Sequence, residues 1–421
     1  MSSDILSAKF ASKTLLATDR DQDIAVTITM PKGRAQVRPP LSLAIVIDRS
    51  GSMEGEALAN AKAAAAKLVD ALSPGDAFTV IAYSTSVETV FQMSLANDAN
   101  KLAAARAIDS ITSDGNTCIS CGIEQGAAQL ARSPLGGDRP YSGQGIARMV
   151  LISDGQANSG LYDRDELAQL ATETAAKGVS ISTVGVGLDF DEVTMTRLAD
   201  VGHGHYYFVE DTANLAQMFR TELDSMTETV AADVRLVVRG TGMTLGEAYG
   251  YPIVARGRED IVIPVADLRA GETRKVVIRS HVALNNIRLG SSYEMAQFRL
   301  QWRGVADGSV HEAQTNLVAS FSDDASQVAA TIDRGAVNAI ETARTARVLE
   351  DAARTYETQG AAAAQQVLEQ HRREVQDNKY MDAPALEAID RATSSASGNF
   401  SKAPPAKAMK ATRMDAYDLA R

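Results

Sequence analysis

The stretch "SLAIVIDRSGSM", residues 42–53, runs five apolar side chains straight into Asp48, Ser50 and Ser52. A short apolar run of this kind reads as a strand buried on both faces, which is a mark of parallel sheets. Its last residues then deliver an acid and two hydroxyls at alternating positions to the carboxyl edge of that sheet. Doubly wound sheets bind ligands at that edge, in the crevice beside a topological switch point.

The residues around it extend the pattern. "EALANAKAAAAKLVDAL" (56–72) reads as an alanine-rich helix closed by "SPGD". "AFTVIAYS" (77–84) and "VETVFQM" (87–93) read as strands, with helical stretches near 98–111 and 120–132. "RMVLIS" (148–153), "VSISTVGVG" and "HYYFVE" are further strands. They alternate with helices over "RDELAQLATETAAKG", "DEVTMTRLAD" and "NLAQMFRTELDSM". This alternation predicts an α/β fold over residues 41–227, a mostly parallel doubly wound sheet with helices on both faces.

Beyond residue 228 the character changes. "VAADVRLVVRG", "DIVIPVADL", "TRKVVIRSHVAL", "YEMAQFRLQWRG" and "HEAQTNLVASF" alternate as strands between turn signals. They predict an antiparallel β-sandwich over 228–322. "DIAVTITMP" (23–31) alternates in the same way. It is expected to pair with those later strands, so that residues 1–40 belong to the sandwich and the α/β unit is inserted in it. Residues 323–398 read as a helical hairpin or bundle, broken at Gly360. The last stretch, 399–421, carries Pro404–Pro405 and the scattered bases Lys402, Lys407, Lys410 and Arg413. It is expected to be a flexible, solvated tail.

The chain has 421 residues, 45% of them apolar and 23% charged, enough for two or three folded domains. A net charge of −11 argues against binding nucleic acid or an anionic membrane, whose phosphates would repel it. No apolar run is long enough for a membrane span, and the first residues lack a signal-peptide core. Two cysteines make no disulfide framework. Together these predict a cytoplasmic protein.

Further oxygen donors converge on the same edge. Asp154 ends the strand "RMVLIS", and "SDGNTCISCGI" sets Thr117 at the mouth of a helix. Asp48, Ser50, Ser52, Thr117 and Asp154 are then five oxygen donors from three loops. Hard oxygens without nitrogen or sulfur suit Mg²⁺, Mn²⁺ or Ca²⁺ rather than zinc. Magnesium takes roughly six oxygens, so five protein groups leave a position for an outside ligand such as a partner's carboxylate.

"DRSGS", Thr117 and the "SDG" at Asp154 together resemble the metal ion-dependent adhesion site of von Willebrand factor type A domains. The resemblance covers roughly residues 40–226 and extends to bacterial multidomain members with flanking strands and a helical tail. It is a fold shared with the inserted domain of integrins and with inter-alpha-trypsin inhibitor heavy chains. It implies that Ser50, Ser52 and Thr117 contact the metal, while Asp48 and Asp154 bind directly or through water. It also implies protein partners that supply an Asp or Glu, within assemblies that in bacterial relatives include AAA+ ATPases. Cys118 departs from the pattern, standing where many relatives have Asn.

Other readings compete. Ser52 suits the cap of a helix beginning near Glu54. A nucleophilic serine in "GSMEG" fails because Ser52 takes the second position, where the nucleophile elbow needs the third, and no histidine lies in the matching loops. A metal-dependent phosphatase using Asp48 would need a second acid close by and a general acid, which Arg49 and Ser50 do not supply. A scaffold binding through the sandwich and helices is a third possibility. Cys118-x-x-Cys121 has the spacing of redox motifs; outside a thioredoxin-like unit it reads first as two inert, partly buried thiols, with a redox gate on the metal loop as the alternative. His203 and His205 lack a third ligand. "GVGLDF" lacks the last glycine of a dinucleotide fingerprint, and there is no P-loop. The reading that results is a non-enzymatic, metal-dependent protein-binding module.

Overall fold

A computed structural model describes residues 5–32, 40–135, 146–154, 156–186, 190–209, 228–257 and 260–420. Its α/β part is built on a six-stranded sheet. The strands Val87–Leu95, Ala77–Tyr83, Leu41–Asp48, Ile146–Ser153, Val179–Val186 and His203–Val209 lie side by side in that order. All neighbours are parallel except the edge strand Val87–Leu95, which returns antiparallel after a short turn.

Alternate residues of the central strand feed opposite faces. Leu41, Leu43, Ile45 and Ile47 pack with the helix Glu56–Ala71, through Ala61, Ala64, Ala65 and Leu68. Ala44 and Val46 pack on the other face with the helices Ile119–Leu130, Arg164–Ala176 and Glu192–Val201. Two covered faces explain why the strand reads as an unbroken apolar run. The helix read at "NLAQMFRTELDSM" lies outside the described residues.

Two further sheets share a second core. One has the strands Leu6–Phe10, Asp21–Thr29, Thr273–Val282 and Met243–Ala248 in that order. The other runs through Asp260–Val265, Thr229–Gly240, Ser292–Gly304 and Val310–Ser322 to the short strand Thr14–Leu16. Ile24, Val26 and Ile28 from the early strand meet Leu236, Val238, Phe298 and Leu300 in one hydrophobic cluster. The early strand pairs along its whole length with Thr273–Val282, so the α/β part lies between the two sequence segments that complete this core.

The C-terminal region is helical to its end. The helices Ala325–Ala329, Arg334–Gln359, Ala361–Gln376, Ala383–Lys402 and Pro405–Ala420 follow one another. Gly360, at φ +86°, separates the second from the third. The stretch expected to be a flexible tail is instead the end of one helix and the whole of another. Ala408, Lys410, Thr412 and Ala416 of the last helix are buried. The prolines open this helix rather than prevent it, because Pro405 takes its first position, where no amide hydrogen is needed.

Candidate metal centre

The order of the strands places the site. From Leu41–Asp48 the chain crosses to one side, into Ala77–Tyr83, and later returns to the other side as Ile146–Ser153. The sheet's switch point therefore falls between the strands that end at Asp48 and Ser153. Asp154 follows immediately, so the two acids leave adjacent parallel strands side by side.

Asp48 is wholly buried, and Asp154 is only 6% exposed. The Asp48 carboxylate accepts hydrogen bonds from the Ser50 amide at 2.8 Å, the Ser153 hydroxyl at 2.6 Å and the Tyr83 hydroxyl at 3.3 Å. Burial pushes its pKa up to about 6; the Ser153 and Ser50 hydrogen bonds oppose the rise, and the charge of Asp154 adds to it. Among the described residues no basic side chain forms an ion pair with either acid. The switch point thus holds two buried acids with hydroxyl and amide dipoles for company and, among the described residues, no basic side chain paired with them.

The remaining donors sit in loops that are tied to one another. Ser50 and Ser52 hydroxyls lie 3.1 Å apart. The Gly51 amide donates to Gly115 O at 3.0 Å, and the Asp114 amide to Arg49 O at 2.7 Å, so the first loop is bonded to the second. The second is bonded to the third through Thr117, whose amide donates to Asn158 Oδ1 at 2.7 Å. Its carbonyl in turn accepts from the amides of Asn158 and Ser159. Asp154 O accepts from the Asp191 amide at 2.8 Å, at the mouth of the Glu192–Val201 helix.

Ser52 does not cap a helix. It lies in a single 3-10 turn, Gly51–Met53, and the following helix begins at Glu56 with Gly55 as its cap. Thr117 is not a cap either, since Cys118 holds that position. Neither hydroxyl is therefore committed to capping the helix that follows it. A buried pair of carboxylates beside neutral hydroxyls fits a hard divalent cation, which would relieve the charge that burial leaves uncompensated.

Residues 42–221 match the family model of the von Willebrand factor type A domain. The chain contains a von Willebrand factor type A domain. Two solved structures share its architecture at 18% and 16% sequence identity, which establishes fold alone. One is the von Willebrand factor type A protein from Catenulispora acidiphila, with a TM-score of 0.67 over 92% of this chain and 89% of that one. The other is the ArnB paralog VWA2 from Sulfolobus acidocaldarius, at 0.62 over 99% and 98%. Both extend past the type A domain into the sheets and helices around it.

Curated relatives include protein sll0103 of Synechocystis, 25% identical over 66% of this chain. They also include YfbK of Escherichia coli, 28% identical over 50%, and inter-alpha-trypsin inhibitor heavy chain H3 of Rattus norvegicus, 24% identical over 61%. The chain spans 62%, 36% and 29% of the lengths of these three proteins. Among the described residues no helix is long and apolar enough to cross a membrane.

One expectation beside these loops is overturned. Cys118 and Cys121 are not free thiols but a disulfide, with Cα atoms 5.3 Å apart. Cys118 is the cap of the Ile119–Leu130 helix and Cys121 lies in its first turn, where residues three apart come together. The pairing removes the cysteines from the grounds for expecting a cytoplasmic protein. Ser153, Tyr83 and Asn158, which hold Asp48 and Thr117, had escaped the sequence reading because their roles depend on strand register and loop packing.

Proposed function

We propose that the type A domain is a metal-dependent protein-binding module. Asp48, Ser50, Ser52, Thr117 and Asp154 would hold one divalent cation, Mg²⁺ or else Mn²⁺ or Ca²⁺. When bound, that ion supplies a positive charge whose open coordination position takes an Asp or Glu from a protein partner. The observation that carries this reading is the pair of buried, cation-less acids at the switch point.

The side chains divide the work. Ser153 and Tyr83 fix the Asp48 carboxylate from the sheet side, and the Ser50 amide fixes it from the loop side. Asn158 holds the backbone of Thr117. With three of the five donors neutral hydroxyls, the ion would keep enough charge to attract an outside carboxylate. That carboxylate loses water on docking, a cost the cation offsets, so metal and partner should bind cooperatively.

The module is read as non-enzymatic. Asp48 is fully enclosed and its oxygens are engaged by three donors, which is poor placement for a nucleophile. A multiprotein assembly, including one built around an AAA+ ATPase, is the proposed setting, and the acidic chain speaks against a nucleic-acid ligand.

Calorimetry tests the site directly. The chelator-treated protein should take up one Mg²⁺ or Mn²⁺ per chain at millimolar concentration or below, and Ser50→Ala should weaken that uptake without unfolding the domain. A folded wild-type protein that takes up no Mg²⁺, Mn²⁺ or Ca²⁺ would refute the site. For the partner, capture from the native organism should be lost with chelator and with Ser50→Ala. Capture indifferent to both would assign binding to the sandwich and helices instead.

A further inference from the structure

Thr117 is followed at once by a disulfide, and that bond lies beneath the third loop of the metal face. Gly160, at φ +66°, sits directly over it. A Cβ there would run into Cys118 Sγ, and into Ser120 Oγ at 2.6 Å. Ser120 Oγ accepts from the Leu161 amide at 3.0 Å and lies 3.5 Å from Cys118 Sγ. One residue back, Thr117 grips Asn158 and Ser159 by three hydrogen bonds. The disulfide thus fills the floor on which the Asn158–Leu161 segment rests, and that segment joins the Thr117 loop to the chain leaving Asp154.

We propose that Cys118–Cys121 is a thiol–disulfide exchange site whose redox state sets the affinity of the metal face. This rests on the cation site of the preceding section. The two sulfurs differ in access, since Cys118 is buried at 1% exposure while Cys121 is only half-buried. A thiolate of a dithiol reductant attacks Cys121 Sγ, breaks the S–S bond and releases Cys118 as the leaving thiolate, which takes a proton. The reductant's second thiol then attacks the mixed disulfide and releases Cys121. The protein gains two electrons and two protons, and the reductant leaves as its own disulfide.

The mechanical consequence follows from size. Bonded sulfurs lie about 2 Å apart, whereas two unbonded thiols need roughly 3.5 Å or more. Gly160 leaves no spare room above Cys118. Separation of the sulfurs lifts the Asn158–Leu161 segment and strains the three bonds that position Thr117. The oxidised protein therefore holds the donors together, and the reduced protein binds metal more weakly.

The full-length protein is purified under air and divided. One half is reduced with dithiothreitol, which is removed anaerobically, and mass-spectrometric alkylation verifies zero and two labelled cysteines in the halves. Mn²⁺ titration should give a dissociation constant about tenfold or more higher in the reduced half, the scale on which lost supporting contacts weaken metal sites. Hydrogen exchange of the 156–162 amides should quicken on reduction even without metal. Cys118→Ser/Cys121→Ser should match the reduced protein and ignore dithiothreitol.

Equal Mn²⁺ affinity in the two halves, or unchanged exchange at 156–162, overturns the proposal. Alkylation of both cysteines before any reductant is added also overturns it. If neither half binds metal while exchange still quickens, the cation site is what has failed, and the exchange site stands as a redox brace on these loops.

Discussion

At the scale of single residues, Asp48 is the most informative. Its carboxyl has an ordinary value near 3.8 in the unfolded chain and about 6 in the metal-free fold. The folded state therefore binds the proton more tightly, and the stability this contributes is present below pH 4 and lost as pH rises toward 6 and beyond. A shift of this size corresponds to about 3 kcal/mol above pH 7. Asp48→Asn should remove the penalty. In chelator the variant should be more stable than wild type by about 2–3 kcal/mol at pH 7.5, with the gap closing by pH 4. Added Mg²⁺ should stabilise wild type and leave the variant unmoved. Urea denaturation at the two pH values, with and without metal, checks all of this; a gap independent of pH would exclude a buried charge as its cause. Asp48 was legible in the sequence because a lone acid ending an apolar run is conspicuous. Ser153 and Tyr83 were not, because both are ordinary strand residues until register sets them beside that acid.

At the scale of elements, the helices and strands of the α/β unit follow their hydrophobic periods, and errors gather where one residue type serves two purposes. Ser52 shows this, since a serine ahead of a helix satisfies the capping preference and a metal-site pattern equally well. The structure separates them by starting the helix at Glu56 behind Gly55, whose φ of +86° suits glycine and strains other residues. Gly55→Ala should therefore cost about 1–2 kcal/mol through backbone strain alone, since no atom lies within 4 Å of the added methyl. Ser52→Ala should cost less than about 0.5 kcal/mol in chelator, because no helix depends on it. Its loss should appear only as weakened stabilisation by Mg²⁺. Thermal denaturation of both variants, with and without the ion, distinguishes the assignments. If Ser52→Ala destabilised the metal-free protein as a lost cap does, by about 1 kcal/mol, the hydroxyl would be structural after all.

At the scale of the whole molecule, the final helix departs furthest from what its sequence suggests. Its bases read in the sequence as a solvated tail, yet Lys410 Nζ lies 3.6 Å from the Phe190 ring centroid and donates to Phe190 O at 3.0 Å. Arg413 pairs with Glu192, and Tyr417 meets Tyr206 ring to ring. Charges that look solvated in a sequence can be interfacial when their stems cover an apolar surface. Lys410→Ala should cost about 2 kcal/mol, the scale of a desolvated cation–π contact, and lower the unfolding temperature measurably.

Another contact between distant parts of the chain lies at the opposite edge of the sheet, where the α/β unit meets the sandwich. Arg148 opens toward Asp267 at 2.5 Å, with both side chains nearly inaccessible. Asp267 also accepts from Ser180 Oγ and from the Asp233 amide, each at 2.9 Å. Burial holds His203 beside them below its ordinary pKa, against the pull of Asp267 and Asp233, and Arg235 and Arg148 lower it further. The imidazole is therefore neutral at pH 7, and Asp267 depends on Arg148 for its countercharge. Arg148→Met leaves a buried carboxylate without that partner and should cost about 3–5 kcal/mol. Asp267→Asn strands the guanidinium and should cost a comparable amount. Because both penalties arise from the unpaired member, the double variant should be more stable than the sum of the singles implies, by at least about 2 kcal/mol. Additive losses in urea denaturation would mean that the two charges are solvated separately. The insertion would then be held to the sandwich by its chain crossings and packing rather than by this pair.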